Sequence, residues 1–110
     1  MLINDYHRTV NLIKEFLTER NIIIDKFYLF GSRARKDFTS DSDYDFMIVI
    51  NNDLKNAEKR TMIGDLYRFL MNKNELIVMD LIVKTADNFF SESKEPGYLS
   101  YTVQKEGIEI

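Results

Sequence analysis

The stretch FYLFGSRARKDFTSDSDYDFMIVI, residues 27–50, joins two apolar runs through a short segment crowded with charge. Residues 27–30 are mostly aromatic and stop at Gly31, which predicts a buried strand. Residues 46–50 are apolar throughout, which predicts a second strand covered on both faces. The connection between them holds four aspartates and three cationic residues: Asp37, Asp41, Asp43, Asp45, Arg33, Arg35 and Lys36. We therefore expect two strands of one sheet, with the candidate functional residues in the segment that connects them.

Composition limits the possible classes of protein. A chain of 110 residues with 45% hydrophobic content can bury one core, so we expect one domain over residues 1–110. Its apolar runs are far shorter than the roughly 20 residues needed to span a bilayer, its start lacks a signal-peptide pattern, and it has no cysteine. These features predict a cytoplasmic protein. The net charge of -3 argues against a broad nucleic-acid-binding face.

Helical periodicity occurs on both sides of the quoted stretch. Near the N-terminus, apolar residues at steps of four, three and four predict a helix that ends near residue 20: Tyr6, Val10, Ile13 and Leu17. Asn4 or Asp5 can cap that helix. Residues 33–37 suit a short helix or a turn. A further helix is predicted from about residue 54 to 71, with this inner stripe: Ile63, Leu66, Tyr67 and Leu70.

The C-terminal third predicts a strand and a last helix. Residues 76–83 are apolar except for Asp80 and indicate a third strand, after which Thr85 suits a helix N-cap. A last helix is predicted over about residues 98–105, and Gly107 suits the left-handed position after a helix end. The alternation of helices with strands buried on both faces predicts an α/β or α+β fold.

Asp43 and Asp45 are the first candidate metal ligands. Residues two apart in a strand point to the same face, so their carboxylates are expected to project together at the start of the second strand. Paired carboxylates suit Mg²⁺, which completes its octahedron with water and substrate phosphate. A polar loop leading into a strand is the ordinary alternative. An EF-hand calcium loop fails, because Phe46 and Asn52 occupy its glycine and glutamate positions.

Asp80 strengthens the metal hypothesis because its sequence neighbours are apolar. An unpaired buried charge costs several kcal/mol, so a buried carboxylate needs a partner or must be protonated. If the third strand lies beside the second, Asp80 completes a cluster with Asp43 and Asp45, and bound cations would relieve the repulsion among the three. Backbone amides or a distant arginine could instead satisfy Asp80.

Gly31 and Ser32 form the candidate phosphate-binding turn. Gly31 follows a predicted strand and can adopt positive φ, and Ser32 with the next amides can form an anion-binding nest. The segment is not a Walker loop, because it lacks that motif's spacing and its Gly-Lys-Ser/Thr ending. Arg33 and Arg35 can neutralise phosphate charge here or be solvated surface residues. By itself, Gly-Ser would be an ordinary turn.

Together these residues resemble the signature of the DNA polymerase β-type nucleotidyltransferase superfamily: Gly31-Ser32, then Asp43-Tyr44-Asp45, then Asp80 on a later strand. The short chain, with GSRAR followed by SDYDFMIVI, is similar to the minimal nucleotidyltransferases, including antitoxins paired with HEPN-domain toxins. The motifs span residues 29–50 and 76–83. Many relatives carry glycine where this chain has Lys36, which affects the expected loop shape more than the expected chemistry.

The resemblance implies a palm-like mixed β-sheet flanked by helices in a single domain. It implies transfer of a nucleoside monophosphate to an acceptor hydroxyl with release of pyrophosphate. We expect the transferred group to be AMP and its donor to be ATP. Asp43 and Asp45 would hold two Mg²⁺ ions, and Asp80 would join the ion that activates the acceptor. Gly31 and Ser32 would hold the β- and γ-phosphates. The partner would be a HEPN-domain toxin neutralised by AMPylation.

Other functions remain open at this stage. The chain could instead block a partner by contact alone, as a non-catalytic antitoxin. A two-metal phosphohydrolase would present a similar metal geometry. Because 110 residues leave little room for an acceptor site, we also expect a partner protein or self-association. Neither the base of the nucleotide nor the acceptor is encoded in a short motif.

Overall fold

The computed structural model describes residues 6–39, 41–75 and 77–110. Within them lies one four-stranded sheet with the spatial order β3-β2-β1-β4. Its strands are β1 (Ile24–Phe30), β2 (Tyr44–Ile50), β3 (Met79–Thr85) and β4 (Ile108–Glu109). β2 and β3 run parallel, whereas β1 is antiparallel to both of its neighbours. The predicted mixed sheet is confirmed.

Five helices flank this sheet in the described parts of the chain. They are α1 (His7–Glu19), α2 (Ser32–Arg35), α3 (Asn56–Asn72), α4 (Ala86–Glu92) and α5 (Leu99–Glu106). The α3 helix connects the parallel strands β2 and β3, as a crossover between parallel strands requires. None of the described helices has the length and apolar character needed to cross a membrane.

Both faces of the sheet are covered, and alternate residues of β2 point to opposite layers. Phe46, Ile48 and Ile50 join a core that includes the inner sides of α1 and α3. Met47 and Val49 pack on the other face, in a cluster that includes residues of α4 and α5. All five of these side chains are fully buried. The uninterrupted apolar run of β2 follows from its central place between two helical layers.

Several element predictions are confirmed. The α1 and α3 helices lie close to their predicted bounds, and α2 forms the predicted short helix. Thr85 is the N-cap of α4, and its side chain accepts a hydrogen bond from the Asn88 amide at 3.4 Å. Asn4 and Asp5, the predicted caps of α1, lie outside the described residues.

Two predictions need correction. The third strand begins at Met79 rather than at residue 76: residues 77 and 78 are not part of it, and residue 76 lies outside the described residues. Gly107 is extended, with φ -71° and ψ 154°, and does not take the left-handed conformation. The reason is that the chain passes directly from α5 into β4. A Cβ at Gly107 would overlap the Val103 carbonyl oxygen, so glycine is needed for this close approach.

Candidate functional site

The end of β1 and the starts of β2 and β3 meet at one end of the sheet. In the strand register, Asp45 lies opposite Phe30 on one side and Asp80 on the other. Paired residues of neighbouring strands project to the same face, so Asp45 and Asp80 share a face. This face also carries Met47 and Ile82, which pack toward α4 and α5 farther along the strands. The adjacency of Asp45 and Asp80, expected from sequence if β3 lay beside β2, is observed.

Asp45 is the partly buried member of the acidic group. Its pKa is raised by burial first, and then by the negative charges of Asp80 and Asp43. The Arg35 charge acts in the opposite direction and favours the ionised carboxylate. The electrostatic interactions therefore tie Asp43, Asp45 and Asp80 into one acidic site, with Arg35 close enough to influence it.

Asp80 is exposed, which corrects the expectation that it would be pushed into apolar surroundings. The physical reason is its position. β3 is the outer strand of the sheet, and Asp80 lies near its start, whereas α4 begins beyond Thr85 at the far end. The helices on that face therefore do not cover it. Asp43 is also exposed and lies just before β2.

Gly31 brings the backbone against Asp45. Its φ of 75° lies in the left-handed region that favours glycine, and a Cβ there would overlap Asp45 Oδ2. Its carbonyl oxygen accepts hydrogen bonds from the Ala34 and Arg35 amides at 3.1 Å each, which start α2. Ser32 is the first residue of α2 and is partly exposed. The Gly-Ser turn and the carboxylates are therefore neighbours.

The two arginines of this segment have different surroundings. Arg33 donates from Nε and Nη2 to the Ser42 carbonyl oxygen, at 3.2 and 2.9 Å. Arg35 is exposed and forms an ion pair with Asp37, with 3.3 Å between Nε and Oδ2. Such exposed pairs contribute little to stability. Arg35 is thus the more exposed of the two cations.

The carboxylates match the ligand chemistry of a hard divalent cation, although they do not form a closed cage. All three offer only oxygen donors, which Mg²⁺ prefers, and the exposed two are open to water and substrate. Within the described residues, no three acidic, histidine or cysteine side chains are grouped tightly enough to hold a metal ion by themselves. Mg²⁺ commonly takes only one or two carboxylates and completes its octahedron with water and substrate phosphates.

Sequence reasoning missed a hydroxyl beside this site. Tyr67 on α3 donates to the Met79 carbonyl oxygen at 3.2 Å, immediately before Asp80. Burial, followed by the Asp80 charge, raises the pKa of Tyr67. The 3.6-residue stripe predicted that Tyr67 faces inward, but periodicity alone carries no information about where its hydroxyl ends.

Asp43 and Asp80 are exposed at this site, and Asp45 is partly buried. A cavity of about 680 Å³ lies between α1, the start of β1 and Ile110, and another of about 600 Å³ lies at the opposite ends of β2 and β3. Neither is lined by Asp43, Asp45 or Asp80.

Comparison with known proteins gives one family match. The model of the family described as Polymerase beta, Nucleotidyltransferase matches residues 11–110, nearly the whole chain. No curated protein sequence matches the chain.

Two solved structures share the fold. One is a crystal structure of a toxin-antitoxin with AMP-PNP, with a TM-score of 0.57 and 21% identity over 90% of this chain and 69% of that one. The other, from Sulfolobus solfataricus, is provisionally assigned as a nucleotidyltransferase, with a TM-score of 0.57 and 19% identity over 92% of this chain and 74% of that one. At these identities, the similarity concerns the fold.

Proposed function

The chain belongs to the Polymerase beta nucleotidyltransferase family, and on that premise we propose that it transfers AMP from ATP to a hydroxyl group of a partner protein. The observation that carries this proposal is the register of β2 and β3, which sets Asp45 beside Asp80 and next to the Gly31 turn. An acidic pair beside a turn that can take phosphate is what metal-assisted transfer from a nucleotide requires.

We assign the metal-binding role to Asp43, Asp45 and Asp80. Two Mg²⁺ ions bound here would neutralise the triphosphate and lower the pKa of the acceptor hydroxyl. The Gly31-Ser32 turn would hold the β- and γ-phosphates through its amides and the serine hydroxyl. Arg35, exposed and within electrostatic reach of Asp45, would add positive charge at the phosphates.

The proposed reaction is an in-line displacement at the α-phosphorus. The acceptor oxygen forms a new bond to that phosphorus, and the bond to the bridging oxygen of pyrophosphate breaks, so pyrophosphate leaves with the electron pair. The hydroxyl proton passes to the exposed Asp80 carboxylate and from there to solvent. Adenine as the base is part of the proposal, supported by the AMP-PNP of the structural neighbour.

A HEPN-domain toxin is the partner that we propose, with AMPylation as the means of neutralising it. Two observations support a protein acceptor. Asp43 and Asp80 are exposed, and one structural neighbour is part of a toxin-antitoxin complex. Because an antitoxin and its toxin are encoded together, the candidate acceptor is the product of the adjacent gene.

The test is label transfer from ATP radiolabelled at the α-phosphate to the purified partner, with Mg²⁺. We expect the wild-type chain to label the partner, and Asp45→Asn or Asp80→Asn to lower the rate by at least ~100-fold, since each removes a ligand of the proposed ions. Asp53→Asn is a matched control, because Asp53 lies in the loop after β2 at the opposite end of the sheet.

The contrary outcomes separate the alternatives. Release of free nucleotide without labelled partner would indicate a phosphohydrolase. If Asp45→Asn and Asp80→Asn neutralised the toxin as well as the wild type at equal expression, contact rather than catalysis would be responsible. Labelling that is insensitive to both substitutions would remove the carboxylates from the mechanism.

A further inference from the structure

We infer that Arg33 is a positioning residue that fixes the backbone on both sides of Asp43, so that this carboxylate is held ready for a metal ion. The inference rests on the proposed function, which makes Asp43 a metal ligand. It assigns Arg33 a different task from Arg35, although the two are only two residues apart and carry the same charge.

The hydrogen bonds of Arg33 fix the residue before Asp43. Nε and Nη2 both donate to the Ser42 carbonyl oxygen, at 3.2 and 2.9 Å. The Ser42 hydroxyl in turn accepts from the Thr39 amide at 3.0 Å, and the Ser42 amide donates to the Thr39 carbonyl oxygen at 3.1 Å. The Arg33 guanidinium therefore ties the loop that leads into β2 to α2.

The residue after Asp43 is held by the same guanidinium. The guanidinium carbon of Arg33 lies 4.3 Å from the centroid of the Tyr44 ring and 4.4 Å from the centroid of the Phe38 ring. The Tyr44 amide also donates to the Val78 carbonyl oxygen at 3.0 Å, which anchors it toward β3. A planar guanidinium can contact aromatic faces and donate in its own plane at once, which an ammonium group cannot do.

These contacts separate positioning from phosphate binding. Two of the Arg33 donors are directed at a backbone carbonyl oxygen, and its guanidinium carbon lies near the Phe38 and Tyr44 rings. Asp43 itself is exposed and lies just before the first residue of β2, so its placement depends on its neighbours. Groups that orient a metal ligand commonly change metal affinity by about 10- to 100-fold when they are removed.

The decisive substitution is Arg33→Lys, which keeps the charge and removes the planar fork. Phe38→Leu removes one of the two rings, and since Phe38 is 44% exposed the fold should tolerate the change. Arg20→Lys is the matched control, because Arg20 lies 4.3 Å from the Phe16 ring centroid after α1 and serves no proposed ligand. Asp43→Asn defines the loss of the metal ligand.

The effect of these substitutions on metal affinity can be measured without catalysis. Mn²⁺ is titrated into the purified chain, and the electron paramagnetic resonance signal of free Mn²⁺ reports how much is bound. We expect Arg33→Lys to raise the Mn²⁺ dissociation constant about tenfold, Phe38→Leu to raise it less, and Arg20→Lys to leave it unchanged. In label transfer, Arg33→Lys should raise the Mg²⁺ concentration at half-maximal rate, while KM for ATP at saturating Mg²⁺ stays the same.

Each contrary result has a distinct meaning. One contrary result is that the wild type binds Mn²⁺, that Asp43→Asn does not, and that Arg33→Lys binds Mn²⁺ as tightly as the wild type. This result would overturn the role of Arg33 and leave the proposed function standing. A rise in KM for ATP without a change in Mn²⁺ affinity would make Arg33 a phosphate ligand instead. If the wild type binds no Mn²⁺, or Asp43→Asn binds it equally well, the metal site and the role of Arg33 both fail.

Discussion

Asp45 lies at the centre of the acidic site and has a raised pKa, so its ionised form opposes folding while no cation is bound. Burial is the first cause, followed by the Asp80 and Asp43 charges. Because the folded pKa exceeds the ordinary value of 3.8, the penalty is present above the folded pKa and disappears as the pH falls toward 3.8. Asp45→Asn should therefore stabilise the metal-free fold at pH 7, by about 0.5–2 kcal/mol.

Denaturant unfolding in the presence of a chelator checks this expectation at the residue scale. The stability difference between Asp45→Asn and the wild type should shrink as the pH is lowered from 7 to 4. Asp41→Asn, an exposed position in the preceding loop, is the control and should change stability by less than about 0.5 kcal/mol. An Asp45→Asn variant less stable than the wild type at pH 7 would show that the carboxylate is structurally required.

Single residues also show what the sequence could and could not reveal. The sequence predicted that Asp80 would join Asp43 and Asp45 only if the third strand lay beside the second, and the register of β2 and β3 places Asp80 beside Asp45. Exposure was not predictable for Asp80, because apolar sequence neighbours do not show that a strand lies at the edge of a sheet. The contacts of Arg33 depend on how the loop before β2 folds back toward α2. The charge pattern in the sequence does not predict that loop conformation.

At the scale of elements, one carboxylate connects β3, α4 and α5. Glu92 on α4 accepts hydrogen bonds from Lys84 of β3 and Ser100 of α5, both at 3.0 Å. Burial alone would raise the pKa of Glu92, but these two hydrogen bonds, aided by the Lys84 and Lys59 charges, outweigh it and lower the pKa below its ordinary value of 4.5. The helical layer on this face is thereby linked to the edge of the sheet.

The sign of the pH dependence follows from this lowered pKa. Glu92 stabilises the fold fully above about pH 4.5, and its contribution is lost as the pH falls through that value toward the folded pKa. We expect Glu92→Gln to lower the free energy of unfolding by about 1 kcal/mol at pH 7 and by less below pH 4. Glu95→Gln, at an exposed position shortly after α4, is the matched control in the same denaturation series. Equal effects of the two substitutions at pH 7 would contradict the linking role of Glu92.

Elements with a long periodic pattern were predictable, and short ones were not. The stripes of α1 and α3 repeat over several turns, so their helical state was clear from the sequence. β4 has only two residues, both exposed, and exists because the chain after α5 pairs with β1. That pairing is a tertiary contact, which also explains why Gly107 is extended instead of left-handed.

For the molecule as a whole, the prediction of a single domain can be tested through β2. Its neighbouring residues Met47 and Ile48 are both fully buried and belong to the two different hydrophobic clusters on opposite faces of the sheet. If both clusters unfold together, Met47→Ala and Ile48→Ala should each lower the midpoint of one shared transition, at a cost of about 2–5 kcal/mol. Met71→Ala is the control: Met71 is 62% exposed, so its substitution should cost less than about 0.5 kcal/mol.

Circular dichroism reports the helices of both layers, and tyrosine fluorescence gives an independent probe of the same unfolding transition. Coincident curves for every variant would support one cooperative unit, because β2 belongs to both layers and neither layer can lose its packing alone. Two separated transitions, each shifted by only one of the substitutions, would mean that the layers fold independently and that the single-domain prediction is wrong.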